Sequence, residues 1–312
     1  MDGNGNPQAP YGAGQAVASL PWFALGRALR ALLPGIPHAA GDAAGDAVLV
    51  ASSAAYAALA ASLFFLLLRH AGVEYAASLL ATLMLALSTP LFAYSSWFFS
   101  EPLAAALLMG ASVALFPPQD VEVISGSRAA LAGALLGGAL WVRPTHVIAV
   151  PVFVLAAAMR TRGNVLRTGV LVAAVAGSFG AAYLLRNQLL FGSFFDFGYP
   201  PAAEGGRRLN TFETPPATGL YGLLLSPGKS LFLFAPPLLL ALAGMWRLAQ
   251  RNRALAVVGG LTPLVYLFFF ARYTQWEGGY CFGPRYLVPV IPLLALGFGP
   301  LLARRYRRWK KA

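Results

Sequence analysis

The chain alternates long apolar runs with short polar interruptions, and the runs are too long and too continuous to be the buried faces of soluble helices. A helix needs about 20 apolar residues to cross a bilayer, and fewer where it is broken or enclosed by neighbours. By that criterion the sequence predicts an all-α, polytopic bundle of about nine spans. They fall near residues 47–68, 76–96, 102–117, 129–142, 145–159, 168–190, 230–246, 254–271 and 286–303. The fourth and fifth meet at Arg143-Pro144, where the proline favours a break. The small residues of AGALLGGAL, just before it, permit close helix packing.

The polar interruptions carry the orientation. Arg69, Arg128, Arg160, Arg162, Arg167, Arg247, Arg251, Arg253 and the tail RRYRRWKK fall on one side of such a bundle, giving that side fourteen of the 23 Lys and Arg residues. Basic residues mark the cytoplasmic side. An outside N-terminus and a cytoplasmic C-terminus in the cell membrane are therefore expected. Of the acids, Glu74, Asp120 and Glu122 go inside and the other eight outside. Residues 15–33, QAVASLPWFALGRALRALL, are mostly apolar with Ser19, Arg27 and Arg30 clustered roughly to one side, the pattern of a helix lying in the outer interface. Three regions follow: 1–46 as a non-cytoplasmic first loop with that helix, 47–303 as the bundle, and 304–312 as a basic cytoplasmic tail. The longest polar stretches, 191–228 and 272–285, are outer loops expected to fold over the bundle as a lid or pocket wall.

Composition agrees with this picture and narrows the chemistry. Hydrophobic residues make up 58% and charged residues 11%, which is membrane composition. A net charge of +12 invites a nucleic-acid reading, but the basic residues sit in clusters between spans, so no nucleic-acid partner is expected. One cysteine, Cys281, excludes an internal disulfide, and three scattered histidines offer no zinc spacing. No cofactor is identifiable, and a divalent-metal requirement is left open. The first fifteen residues lack the charged and apolar regions of a signal peptide.

Five segments carry candidate chemistry, each with a plainer reading beside it. In WEGGYCFGPRYLVPVIP (276–292), the glycines allow close backbone approach and Arg285 sits where the last span meets the outer surface. There it can form paired bonds to a phosphate or simply snorkel beside aromatic rings. In GLYGLLLSPGKSLFLFAPP (219–237), GKS is not a P-loop, because the required first glycine falls at Leu223 and the site faces away from cytoplasmic ATP. An SPG turn presents Lys229 either to an anion or to the interface. In YSSWFFSEPL (94–103), Glu101 is a carboxylate at the edge of hydrocarbon, or part of a helix cap with Ser100 and Pro102. In WVRPTHVIAVP (141–151), Arg143 and His146 mark a helix break that lines a cavity or a tight re-entrant turn. In YLLRNQLLFGSFFDFGY (183–199), a structural Arg186–Asp196 pair is slightly favoured.

Taken in order, these segments resemble the GT-C-type membrane glycosyltransferases that use polyprenol-phosphate sugars, specifically the bacterial proteins akin to dolichyl-phosphate-mannose protein mannosyltransferases. PYGAGQAVASLPWFALG (10–26) is similar to that family's Tyr-Gly-Pro-Gly-Gln loop and interface helix. TPLFAYSSWFFSEPL, WVRPTHVIAVP, RNQLLFGSFFDFGY, GLYGLLLSPGKSLFLFAPP and WEGGYCFGPRYLVPVIP follow in the family's order. The resemblance covers nearly the whole chain and implies sugar transfer from an undecaprenyl- or dolichyl-phosphate donor, a membrane lipid, to an acceptor on the outer face. Whether that acceptor is protein, glycan or lipid stays open. Such inverting enzymes use a carboxylate to deprotonate the acceptor while cations stabilise the leaving phosphate. Arg285, Lys229 and Arg143 are the implied phosphate ligands, with His146, Trp276, Glu277 and Tyr286 as further substrate-binding candidates and Glu101 as an accessory carboxylate.

The family's principal acid, usually Asp, lies in the first outer loop after an N-terminal span that has no counterpart here. Asp2 is the sole acid before YGAGQ and nothing matches it to that residue, while Gly12-Ala13-Gly14 replaces Gly-Pro-Gly. The resemblance thus predicts an N-terminally truncated chain, from a misplaced start or a gene fragment, and leaves the activity of the chain as it stands open. Two rivals remain. A transporter or flippase would explain charges at membrane depth, but no inverted repeat is visible and the polar residues concentrate in outer loops. A non-catalytic lipid-phosphate-binding protein or scaffold fits the missing acid better.

Overall fold

The computed structural model describes residues 12–32, 38–119, 121, 123–160, 165–198, 203–204, 207–208 and 211–309. It is all-helical apart from one two-residue antiparallel pair, Ala203–Glu204 with Arg207–Arg208. Four described stretches are long and apolar enough to cross a membrane: Gly45–His70, Arg167–Phe191, Arg253–Arg272 and Arg285–Ala303. Shorter apolar helices occupy four of the five remaining expected spans: Tyr75–Leu87, Glu101–Leu115, Gly126–Val142 and Pro144–Arg160.

Helix α1 (Ala13–Ala31) covers most of the stretch expected to be helical at 15–33, and Val17, Leu20, Phe23, Leu25 and Leu29 are exposed along it, with Leu32 exposed at its cap. Helix α2 (His38–His70) starts nine residues earlier than the apolar run indicates. The second expected span divides into α3 (Tyr75–Leu87) and α4 (Pro90–Ser95), because Pro90 starts a new helix whose cap, Thr89, accepts a hydrogen bond from the Leu91 N–H through its hydroxyl. Helices α5 (Glu101–Leu115) and α6 (Gly126–Val142) follow. The break at Arg143 is present: Arg143 is extended (φ −153°, ψ 126°) between α6 and a 3-10 turn, Pro144–Ala149, that runs into α7 (Val150–Arg160).

Helix α8 (Val165–Phe191) packs on α6, which in turn packs on α5. Beyond the loop come α9 (Pro216–Leu224) and α10 (Leu231–Phe234). The apolar run at 230–246 is not one helix. Pro236 and Pro237 separate α10 from α11 (Leu238–Arg251), since neither proline can donate a helical hydrogen bond. Asn252 caps α12 (Arg253–Arg272) by accepting from the Leu255 N–H.

The final stretch begins as 3-10 helix at Arg285–Val290 and passes through α13 (Ile291–Leu294) and a second 3-10 turn into α14 (Phe298–Trp309). Pro289 and Pro292 lie within it and account for the departure from regular α-helix. It is also the centre of the bundle: 83% of its apolar window is buried, against 28% for Arg167–Phe191. Helix α11 crosses it at Gly244, where an added Cβ would overlap the backbone of Gly297. Only hydrogen at that position lets the two backbones meet.

Candidate functional site

Helix α5 starts on Glu101 rather than on a serine cap. Ser100 is already helical (φ −79°, ψ −14°) and its side chain makes no capping bond, so the capping reading of Ser100 does not hold. Glu101 is buried, 1% exposed, where a lone carboxylate would be costly. Its partners come from far along the chain. Arg285 Nε donates to Glu101 Oε1 at 2.6 Å, and Arg143 Nη1 lies 3.5 Å from the same oxygen. The helix break at Arg143 and the start of the final span at Arg285 thus converge on the first residue of α5.

Aromatic rings hold both guanidiniums. Arg285 Cζ lies 4.6 Å from the Phe99 ring centroid, and Arg143 Cζ 5.2 Å from that of Tyr286. Tyr286 itself stacks on Phe270, with centroids 4.5 Å apart and planes 9° from parallel. The buried Tyr94 ring tilts on Phe99 at 5.1 Å, and its hydroxyl is buried without a hydrogen-bond partner among the described residues. Two arginines therefore face one carboxylate. Among the described residues, neither guanidinium donates to another protein acceptor, and Glu101 Oε2 is buried with no hydrogen-bond partner. An arginine carries five donors, so this cluster keeps most of its capacity for an anion.

The other expected site residues are placed differently. His146 is buried and stacked on Tyr266, its Nδ1 2.7 Å from the tyrosine hydroxyl oxygen, which makes it a packed part of the bundle. Trp276 packs against the core with its indole so close to Gly222 that a Cβ there would overlap it. Glu277 is half-buried in the same loop. Lys229 follows the expected SPG turn, and its backbone N–H is 3.2 Å from Ser226 Oγ. Its ammonium does not reach the arginines' carboxylate. It donates to the Gly279 carbonyl at 2.8 Å and the Cys281 carbonyl at 2.7 Å, with Cys281 Sγ at 3.3 Å.

Asp196 does not pair with Arg186. It accepts from the Gly198 N–H at 2.8 Å, while Arg186 bonds Asn187 Oδ1 at 3.4 Å and lies over Tyr183 and Phe191. Asp2, Tyr11, Asp120 and Glu122 lie outside the described residues. Tyr94 and Phe99, which reasoning from the sequence quoted but did not single out, join the cluster through the Phe99 ring, and Cys281 joins the Lys229 contacts. The aromatic run ahead of Glu101 was the available signal for the first two.

An apolar groove of about 230 Å³ runs along the final span, lined by none of the cluster's own residues. Its lining includes Leu224 and Leu231 on either side of Lys229, Leu287 two residues beyond Arg285, Val290 and Leu294 further along the final span, and Leu264 of α12.

Fold comparison agrees with this architecture. The structure is similar to the crystal structure of ArnT from Cupriavidus metallidurans bound to undecaprenyl phosphate, with a TM-score of 0.55 and 17% identity. The fold is ArnT-like. The match covers 83% of this chain but 48% of ArnT, so the chain spans about half the length of that protein. At this identity the likeness to ArnT shows a shared helical membrane fold and nothing further. No protein-family model matches the sequence, and no curated protein does.

Proposed function

We propose that the Arg143–Glu101–Arg285 cluster binds the phosphate of a polyprenyl-phosphate-linked sugar, and that the chain is a GT-C-type transferase acting on the outer face of the membrane. One observation carries this reading: two guanidiniums with unspent donors are fixed by one buried carboxylate and by aromatic rings, and the final span that carries Arg285 also lines an apolar groove from Leu287 onward. An anionic headgroup joined to a long hydrocarbon needs that pairing of surfaces. ArnT, whose fold the chain resembles, was crystallised with undecaprenyl phosphate, which supports a lipid of this class.

The roles follow from the geometry. Arg143 and Arg285 take the phosphate, and Glu101 orients both through Oε1 while Oε2 stays available to a hydroxyl donor. In transfer, the acceptor oxygen would bond to the sugar's anomeric carbon as the bond from that carbon to the phosphate oxygen breaks. The acceptor proton leaves to a carboxylate, and the second negative charge that develops on the phosphate is met by the guanidiniums. Glu101 already spends one oxygen on Arg285, and this favours a second reading in which the chain binds the lipid phosphate without catalysing transfer.

The test uses the full chain in lipid nanodiscs. Undecaprenyl phosphate should bind saturably, and Arg285→Ala should weaken it by about tenfold to a hundredfold, the share of a charge-assisted hydrogen bond. Equal binding by Arg285→Ala and wild type would remove the assignment. Transfer of a labelled sugar from its polyprenyl phosphate to membrane acceptors would favour the enzyme, and binding without transfer the second reading.

A further inference from the structure

We propose that Lys229 is a positioning residue: it locks the glycine loop that carries Arg285, and does not touch the phosphate itself. This rests on the lipid-phosphate reading above. An ammonium group has three donors and no acceptor. In Lys229 two of them go to the carbonyls of Gly279 and Cys281, and the third points to Cys281 Sγ. None is left over for a ligand.

The loop needs such a clamp. Gly278, Gly279 and Gly283 all adopt positive φ, at 71°, 77° and 61°, which turns successive peptide groups in directions that regular structure does not pair. Two carbonyls of this turn converge on one point, and Lys229 Nζ occupies it. The loop also folds back against Arg285. An added Cβ at Gly278 would come within 2.9 Å of Arg285 Cβ, and one at Gly283 within 3.1 Å of Phe234. Lys229 is itself held firmly, between Ser226, which bonds its backbone N–H, and Ser230, whose hydroxyl caps α10 and bonds the Leu224 carbonyl. A rigid turn before α10 therefore grips the loop before the final span, across about 50 residues of chain, and sets where Arg285 meets Glu101.

A double-mutant cycle on the full chain in nanodiscs tests this, with geranyl phosphate as probe and geraniol as its phosphate-free control. Wild type should prefer the phosphate. Lys229→Met and Arg285→Ala should each cut that preference by about tenfold, and the double variant should lose no more than Arg285→Ala alone, because both changes disable one contact. Lys229→Gln, neutral yet still able to donate to a carbonyl, should recover part of the preference. Amide exchange in residues 276–285 of ligand-free Lys229→Met should be faster than in wild type.

Losses that multiply in the double variant would make Lys229 an independent phosphate ligand and overturn the proposal. So would an unchanged preference in Lys229→Met, which would reduce the residue to a purely structural one. If wild type shows no preference for phosphate, the lipid-phosphate reading falls on its own. The hold of Lys229 on the loop is then judged by exchange, and unchanged exchange would end it.

Discussion

Glu101 shows how one residue can have a legible type and an illegible setting. Its cost at the edge of hydrocarbon marks it in the sequence, as the helix break marks Arg143 and the glycine loop marks Arg285. That the three meet is not written locally, because 42 and 184 residues separate Glu101 from its arginines. The same distance hides the partner of His146, which lies 120 residues away at Tyr266 and turns an expected cavity residue into a packed one. Lys229 was legible as a cation after a turn, but not as one whose donors are all committed. Two outcomes follow at this scale. Glu101→Gln should lower stability by about 1–3 kcal/mol, below the full cost of breaking a buried pair because both arginines are partly exposed, as read from thermal unfolding in detergent. Tyr266→Phe should cost about 1–2 kcal/mol by leaving His146 Nδ1 without its partner, and an unaltered melting temperature would show that the bond contributes nothing.

Helices were easier to read than their interruptions. Apolar runs gave the positions of α2, α5, α8 and α12, since a span in hydrocarbon must satisfy its backbone within itself. The pairs α3–α4 and α10–α11 each read as one run, because hydropathy is blind to the prolines that divide them. The final span read as a simple helix, whereas Pro289 and Pro292 shift it toward 3-10 geometry. Close crossings were partly legible: small residues advertised them on α6, but the meeting of Gly244 with Gly297 needed the fold. Gly244→Ala should therefore destabilise the protein by about 1–3 kcal/mol, as overpacking does, and Gly244→Leu by more. Tolerance of leucine at unchanged melting temperature would mean that α11 does not press on the final span.

For the whole molecule, the helical membrane class was fully legible from composition, while the proposed orientation rests on the uneven placement of basic residues. Tyr280 is fully exposed at the tip of the glycine loop. A Tyr280→Cys, Cys281→Ser variant in intact cells should thus react with a membrane-impermeant maleimide added outside, and protection until the membrane is broken would reverse the orientation. The deep burial of the final span has a consequence for biosynthesis. The helices that wrap it emerge from the ribosome first, so they enter the bilayer around an empty slot. Until the last segment inserts, Glu101 has no Arg285, Lys229 has no loop to hold, and the groove lacks one wall. A nascent chain halted before residue 285 should therefore present a bundle without a site, so that competence to bind arrives in a single late event.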